Sequence, residues 1–523
     1  MRSISDFLCR LEAAGVRVWI ENGELRFRAR KGSFAADTID GIRSHKAEIF
    51  DHLRRRPGAA HTEPPLVRRA PGDSVPLTFT QQWYWAHIQS AVAADDLDPR
   101  KMRICSEAKR IYGPLDIGAL RSSLDALIVR HESLRTRMLV VDGVPVQEVC
   151  PPQPFDLEVI DLCKISTTDV QAEAKRLADQ FIYQSVGPWF SVRLIKLSHH
   201  DHVLIVGMDH VIADAASVAV LSRDLWTSYF QAVRGRPIAL PTLLIQFADY
   251  AVWQRRSEGW WQREHGGYWK ERLANAPGVQ FPRDDNSGQA AYANGMYSFI
   301  RFGESTSAGL RELSRRECTT LVMSVLTIFA AVFFRWQHKT DWTVKLLIAG
   351  RDYPQLQHVI GFLASNLYLR IQLQDDDTFL SLLRRVAHER NVANEHNDHG
   401  RLSVVCAHSE FQRCATFNWL PLEQLDQQTG QRGASSPADD TLRIERFRTT
   451  PADELNWYFD TNRQTEDPSL MLWDGAEGIS GMMCYQSDLF RPDTMERFCG
   501  NLRSFAHAVL ESPQARIRDF SYA

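Results

Sequence analysis

A histidine and an aspartate spaced four residues apart carry the clearest chemical signal in this sequence. His210 and Asp214 follow an apolar run of strand length, and a helix-forming segment begins just after Asp214. An imidazole at the end of a strand can accept a proton from a nucleophile near neutral pH. An aspartate at a helix start can cap the first turn. Such a pair also occurs by chance in long chains, so its meaning depends on the surrounding sequence.

The segments around this pair alternate between strand and helix patterns. Residues 192–197 and 203–208 are apolar runs on either side of a polar turn at 198–202, which predicts an antiparallel strand pair. Helical spacing of apolar residues predicts helices at 119–129 and 216–230. The histidines of the turn resemble a metal cluster only superficially, because a solvated hairpin turn explains them as well. No metal site is predicted.

The same alternation starts again after residue 241. Three helices and two strands are predicted there, at 305–317, 321–336, 378–394, 343–348 and 367–373. The fold class is therefore mixed α/β (α+β), and two similar α/β halves fit the pattern. The apolar segment at 321–336 is short for a bilayer span and is interpreted as a buried helix.

Residues 1–56 have the pattern of a separate small domain. A helical stripe is followed by two alternating segments joined at Asn22–Gly23, a strong hairpin signal, and then by a final helix. Residues 57–76 are rich in Pro, Ala, Gly and Arg, which predicts a linker that is flexible or partly extended.

Composition excludes several classes of protein. The chain has 523 residues, 44% of them apolar and 24% charged, with a formal net charge of -3. This balance gives no global attraction to nucleic acid or to an anionic membrane. Nine scattered cysteines without a C-x-x-C pair, and the lack of an apolar signal core, predict reduced thiols in the cytoplasm.

Seven segments in order around His210 give the sequence a family resemblance. The segment 208–215 resembles the H-H-x-x-x-D-G motif of the condensation-domain superfamily of nonribosomal peptide synthetases. Further segments resemble that family's other motifs, at 77–83, 130–136, 247–254, 348–351, 360–370, 417–419 and 478–490. The resemblance covers roughly residues 76–523.

This resemblance implies two chloramphenicol-acetyltransferase-like lobes that form a V, at 77–240 and 241–523, with a tunnel between them. His210 is the family's reactive histidine, which positions or deprotonates the acceptor or steadies the tetrahedral intermediate. Asp214 is expected to be structural and to pair with Arg130 or Arg135, because a buried carboxylate needs a partner. Asp209 replaces the first motif histidine and is expected to face away from the substrate, since strand neighbours point to opposite faces.

The first 56 residues resemble TubC-type β-hairpin docking domains. Such domains bind a short, often acidic, C-terminal tail of an upstream subunit, which adds a strand to the hairpin edge. The basic side of that contact is predicted to consist of four residues, Arg26, Arg28, Arg30 and Lys31. The alternative is that these charges only solvate the outer face of the hairpin.

The resemblance implies an acyltransferase that condenses a carrier-bound acyl, peptidyl or polyketide thioester with an amine or hydroxyl. The substrate would arrive on the phosphopantetheine of an upstream carrier protein, and no permanently bound cofactor is expected. The sequence contains no adenylation, carrier or thioesterase motifs, so we expect action in trans on a carrier-bound or small-molecule acceptor, with chain release favoured. The main alternative is a catalytically silent domain that recruits a partner enzyme. Epimerisation is a third option, and cyclisation is disfavoured because that branch replaces the reactive histidine by aspartate.

Overall fold

The computed structural model of this chain describes two α/β lobes and parts of the small N-terminal domain. The residues described are 63–93, 104–163, 189–277, 281–284, 295–397, 399–402, 414–420, 442–447, 468–475, 477–487 and 489–520, with parts of 7–49 and 169–177.

The N-terminal domain contains the predicted β-hairpin. Strands β1 (Val16–Glu21) and β2 (Glu24–Ala29) pair antiparallel, with Trp19 opposite Arg26 and Arg17 opposite Arg28. The domain has its own small buried cluster, formed by Phe7, Leu11, Val16, Ile42 and Ile49. Two of the predicted docking residues, Arg30 and Lys31, lie outside the described residues.

The first lobe is built on an antiparallel sheet that delivers the motif histidine. Its helices and strands are β3 (Val75–Pro76), α1 (Phe79–Ala93), β4 (Ile104–Tyr112), α2 (Ile117–Arg130), β5 (Thr136–Val141), β6 (Val144–Val149), β7 (Glu158–Asp161), β8 (Phe190–Ser198), β9 (Asp201–Asp209) and α3 (Ala215–Val233). The predicted antiparallel pair is confirmed, since β9 lies between β4 and β8 and pairs antiparallel with both. Strand β9 is buried along nearly its whole length and ends one residue before His210.

The second lobe is built on a six-stranded sheet in the order β10-β16-β15-β13-β11-β12. Its helices and strands, with one strand that joins the first lobe, are α4 (Phe247–Arg256), α5 (Glu258–Trp261), α6 (Gly267–Arg272), β10 (Gly295–Arg301), α7 (Glu304–Arg316), α8 (Leu321–Gln337), β11 (Asp341–Ile348), β12 (Ser365–Gln372), α9 (Phe379–Glu395), β13 (Ala415–Leu420), β14 (Arg443–Arg446), β15 (Ser469–Gly475), β16 (Gly478–Gln486) and α10 (Pro492–Glu511).

Helix α8 is the central helix of the second lobe's core. Twelve of its residues, from Met323 to Phe334, are buried, which confirms the buried helix predicted at 321–336. Within the described part of the chain, no single helix is long and apolar enough to cross a membrane. The pair α7 and α8 meets that test together but bends by 108° between the two helices.

The two lobes exchange structural elements. Strand β14 follows most of the second lobe in sequence but pairs with β4 in the first lobe's sheet. The core of the first lobe also takes in side chains that follow residue 240, including Phe247, Tyr250, Ile360 and Phe362. The boundary between the lobes in the sequence, at residue 240, therefore does not coincide with the boundary between their hydrophobic cores. Residues from both lobes contribute to the region between them.

Part of the predicted linker at 57–76, expected to be flexible or partly extended, is described in the structure, whereas residues 57–62 lie outside the described residues. From Glu63 onward, residues 63–76, called the strap below, pack against the body of the protein. Leu66 is buried in the first lobe's core, and Val75 pairs with Gln147 of β6. Prolines disfavour helix here, but an extended chain can still bury apolar side chains and satisfy its polar groups through distant residues.

Candidate active site

His210 stands immediately after β9 and has a defined tautomer. Its Nδ1 lies 2.7 Å from the carbonyl oxygen of Ala213. A carbonyl oxygen only accepts hydrogen bonds, so Nδ1 carries the proton. In the neutral ring the lone pair therefore belongs to Nε2. In the neutral imidazole, Nε2 is thus the ring nitrogen that can accept a proton.

Aromatic rings from both lobes surround the His210 imidazole. The Phe362 ring lies 4.1 Å from it between centroids, and the Tyr84 ring lies 6.1 Å from it. Tyr84 and Phe362 meet edge to face at 6.0 Å. Tyr84 belongs to α1 of the first lobe, and Phe362 to the loop before β12 of the second. The His210 imidazole therefore lies at the junction of the lobes and is partly exposed.

Gln81 holds the turn that carries His210. Its Nε2 donates to the carbonyl of Val211 at 2.8 Å, and its Oε1 accepts from the amide of Thr78 at 2.9 Å. Both groups of the amide are thus used, and the side chain is fully buried. This arrangement gives a physical role to the glutamine of the first motif segment, 77–83: it ties α1 to the histidine turn.

Asp214 caps α3 and joins the two lobes. Its Oδ1 accepts from the amide and the hydroxyl of Ser217, both at 2.8 Å, which confirms the predicted cap. Its two oxygens also accept from Arg351, each at 2.8 Å. The expected pairing of Asp214 with Arg130 or Arg135 is therefore wrong. The partner is Arg351 of the second lobe, whose planar guanidinium faces the carboxylate with two parallel donors.

The segment that contains Arg351 wraps closely around Asp214. The amides of Leu363 and Ala364 donate to Asp214 Oδ2 at 3.1 and 3.0 Å. Gly350 has φ of +63°, and a Cβ there would lie 1.9 Å from the carbonyl oxygen of Leu363, so only glycine fits. Burial alone would raise the pKa of Asp214, but Arg351 and Ser217 outweigh it and hold that pKa below its ordinary value. The carboxylate is therefore charged, and its hydrogen bonds connect the two lobes.

Arg130 and Arg135 have partners other than Asp214. Arg130 donates to Asp224 at 2.9 Å and to the carbonyl of Pro241, and His131 lies 3.0 Å from the same carboxylate. Burial would raise the pKa of Asp224, but His131 and Arg223 lower it to about 2. Arg135 donates to two backbone carbonyls, those of Ile128 and Cys150. The motif at 130–136 thus braces α2 against α3 without touching Asp214.

Asp209 is the last residue of β9 and directly precedes His210. Its side chain is 5% exposed, and its Oδ1 accepts from the amide of Val211 at 2.7 Å. Among the described residues its Oδ2 is buried without a hydrogen-bond partner. Burial raises the pKa of Asp209 to about 7, although the hydrogen bond from Val211 works against that rise. The expectation that Asp209 faces away from the substrate stays a prediction.

The turn at 198–202 is the connection between β8 and β9. His199 and His200 are exposed there, whereas His202 belongs to β9 and is 2% exposed. Among the described residues, no group of three or more His, Cys, Asp or Glu side chains is arranged to hold a metal ion.

Three contributors to the site were not singled out from the sequence. Gln81, Arg351 and Phe362 each lie in a segment that resembles a family motif, and this position was the available signal. Their roles depend on contacts between segments more than 100 residues apart, such as the 137-residue separation between Asp214 and Arg351.

Two family profiles match the sequence, and together they cover most of it. Residues 73–523 match the family described as Condensation domain, and residues 4–55 match the TubC N-terminal docking domain. Residues 56–72 fall between the two matches.

Several curated proteins are similar to this chain. Phosphinothricin tripeptide synthetase PhsC of Streptomyces viridochromogenes is 31% identical over 90% of it. Chondramide synthase cmdD of Chondromyces crocatus is 29% identical over 88% of it. The chain spans only 42% of the first protein and 11% of the second, so both are much longer proteins.

Solved structures confirm the predicted two-lobed, chloramphenicol-acetyltransferase-like fold. The X-domain from teicoplanin biosynthesis matches with a TM-score of 0.70 and 23% identity, over 88% of this chain and 100% of that one. A structure described as the molecular basis for condensation domain-mediated chain release from the enacyloxin polyketide synthase matches with a TM-score of 0.63 and 18% identity. That match covers 100% of this chain and 98% of the other.

Proposed function

Because the chain belongs to the condensation-domain family, we propose that it is an acyltransferase that joins a carrier-bound acyl, peptidyl or polyketide thioester to an amine or hydroxyl. The observation that carries this proposal is the tautomer of His210, whose Nδ1 is engaged by Ala213 at 2.7 Å. That arrangement makes Nε2 the proton acceptor, at a partly exposed position between the lobes.

The proposed reaction is a proton-assisted acyl transfer. The acceptor N–H or O–H gives its proton to His210 Nε2 as its heteroatom attacks the thioester carbonyl. The tetrahedral intermediate collapses with cleavage of the C–S bond, and the protonated imidazole returns the proton to the departing thiolate. An amide or ester forms, and the carrier leaves with its phosphopantetheine thiol. The phosphopantetheine arm belongs to the carrier, so the chain needs no cofactor of its own for this step.

We further propose that the acyl donor is recruited in trans through the docking domain. The match of residues 4–55 to a docking-domain family supports a contact with the C-terminal tail of an upstream carrier protein. Arg26 and Arg28 lie on β2 of the hairpin, at an edge where an added strand could pair. A condensation domain that mediates chain release has the same fold over the full length of this chain, and we propose release onto a small soluble acceptor.

A second candidate function is recruitment of a partner enzyme without chemistry. Two observations favour it: the likeness to an X-domain that has been solved in complex with OxyB, and the replacement of the first motif histidine by Asp209. Retention of His210 in a base-competent tautomer favours catalysis instead.

A reconstitution separates the two candidates. The full chain is mixed with a carrier protein loaded with an acyl chain, and candidate amines and alcohols are added. Intact mass of the carrier and of the released product reports transfer. Acyl transfer that disappears in His210→Ala supports the acyltransferase, whereas binding of the carrier without transfer to any acceptor supports recruitment.

A further inference from the structure

The segment between the two matched families has a dense set of contacts of its own. Residues 63–72 of the strap precede the condensation-domain match, which begins at residue 73. Leu66 is buried in the first lobe's core, and the Arg68 guanidinium donates to the carbonyls of Leu243 and Leu244 at 2.7 and 3.0 Å. A segment that buries an apolar side chain and pairs its guanidinium with backbone carbonyls in this way is part of the folded body.

Arg69 provides the strongest attachment of the strap. Its guanidinium lies 2.8 Å from Asp249 and 2.9 Å from Glu132, and its amide donates to Asp249 at 3.2 Å. Asp249 is 2% exposed and belongs to α4, where it also accepts from the amide of Gln246. The strap therefore satisfies a buried carboxylate of the body, so detaching it would leave Asp249 without its cation.

The strap begins at a defined place on the body. The Pro64 carbonyl accepts from Trp253 Nε1 at 2.7 Å, and Glu63 accepts from the Tyr353 hydroxyl. The Trp253 and Tyr353 rings meet edge to face at 5.3 Å. Tyr353 lies two residues after Arg351, the partner of the motif aspartate. The chain thus enters the body beside the loop that binds the histidine motif.

We infer that residues 63–76 are a fixed strap that attaches the docking domain beside the Arg351 loop, so that a docked carrier protein is delivered to the His210 site over a short tether. Only residues 57–62 separate the predicted docking domain from the strap. Seven Cα spacings from Arg56 to Glu63 span at most about 25 Å. The delivery of the carrier protein rests on the proposed function. The attachment of residues 63–76 to the body does not depend on catalysis.

Hydrogen exchange on the full-length chain tests the structural part. The amides of Arg69 and Ala70 donate to the carboxylates of Asp249 and Asp73, and Val75 pairs with β6. We expect these strap amides to be protected to a degree similar to β6. Arg69→Ala should raise exchange across the strap, whereas Arg236→Ala, at an exposed residue, should not. Strap amides that exchange at the rate of an unstructured peptide would overturn the inference, whatever the enzymatic activity.

Lengthening the tether, residues 57–62, tests whether it sets the rate at which a docked carrier protein reaches the site. Inserting 18 flexible residues after Gly58 in the full chain extends the six-residue separation fourfold. Effective concentration falls with about the −3/2 power of length, so the rate at low concentration of a tailed carrier should fall about eightfold. If all of 57–76 were a flexible tether, the same insertion would lower the rate only about threefold or less. The rate with a tailless carrier should be unchanged, and a drop there would contradict the inference.

Discussion

Asp214 and Arg351 are joined across the lobes by two hydrogen bonds of 2.8 Å each. Asp214 caps α3 directly after the histidine turn, and Arg351 belongs to the loop that also supplies Phe362 to the imidazole. One ion pair thus connects the element that delivers His210 with the segment that covers it. The aspartate of the motif is in this way a structural residue that joins the start of α3, next to the turn that carries His210, to the second lobe.

Replacing Asp214 should cost stability through this pair. Asp214→Ala leaves Arg351 and the amide and hydroxyl donors around it without their acceptor, and we expect a loss of roughly 3–5 kcal/mol in the free energy of unfolding. Urea unfolding of the purified variants measures it. In a double-mutant cycle, Asp214→Ala and Arg351→Ala should be strongly non-additive, while Asp214→Ala and Arg130→Ala should add, because Arg130 binds Asp224. Additivity of the first pair would show that the observed ion pair contributes nothing.

Asp209 should make stability depend on pH. Its pKa is about 7 in the folded state, against about 3.9 in an unfolded chain. Between these values the folded state holds a proton that the unfolded state has lost, so stability falls as pH rises from 4 to 7. The full effect of this shift is on the order of 4 kcal/mol. Asp209→Asn keeps an acceptor for Val211 and removes the charge, so it should stabilise the protein more at pH 8 than at pH 5.

Denaturant unfolding of both proteins at the two pH values measures this difference. The comparison is made between variant and wild type at each pH, so the titration of all other groups cancels. An equal effect of Asp209→Asn at pH 5 and pH 8 would mean that the carboxyl does not titrate in this range.

The sequence allowed the local elements to be predicted well. Strands β8 and β9 and helix α3 lie within a few residues of their predicted ends, because alternation, helical spacing and the Asp214 cap are local signals. The partner of Asp214 could not be predicted in this way. Arg130 and Arg135 were nearer in sequence, but only the tertiary fold brings Arg351, 137 residues away, to the carboxylate.

The contacts of the strap could not be predicted from the sequence either. Its proline-rich composition predicts a chain that is flexible or partly extended, since proline fixes φ and removes donors. Composition does not predict that Leu66 is buried in the first lobe's core or that Arg69 binds Asp249, because both contacts join residues far apart in sequence. The docking interpretation of Arg30 and Lys31 stays a prediction from the sequence alone.

The docking residues should control carrier recruitment and not turnover. Charge reversal at Arg26 and Arg28 should weaken binding of an acidic carrier tail and lower the rate at low carrier concentration, with little change at saturation. Added salt should weaken the wild-type interaction in the same direction. Binding of a tail peptide, followed by fluorescence anisotropy, measures the effect, with Arg236→Glu on the body as the charge-matched control. Unchanged affinity in the Arg26 and Arg28 variants would assign the contact to other residues.

Gln81 should affect both the rate and stability. Gln81→Met keeps the approximate volume of this fully buried side chain and introduces no charge, but it removes the donor to the Val211 carbonyl and the acceptor for the Thr78 amide. The turn that carries His210 then loses one of its anchors, and we expect kcat to fall while KM for the carrier changes little. Steady-state kinetics with circular dichroism melting separates the two effects. A large loss of melting temperature with unchanged kcat would contradict a role in positioning.

The most direct test of the account is single-turnover acyl transfer by His210→Ala. The variant and the wild type are mixed in excess with a loaded carrier and an accepted acceptor, and the product is followed by intact mass. His200→Ala, in the exposed hairpin turn, serves as the control. We predict a loss on the order of 10²–10⁴-fold for His210→Ala at an unchanged melting temperature, and none for the control. Near wild-type transfer by His210→Ala would contradict the assignment of His210 as the proton acceptor.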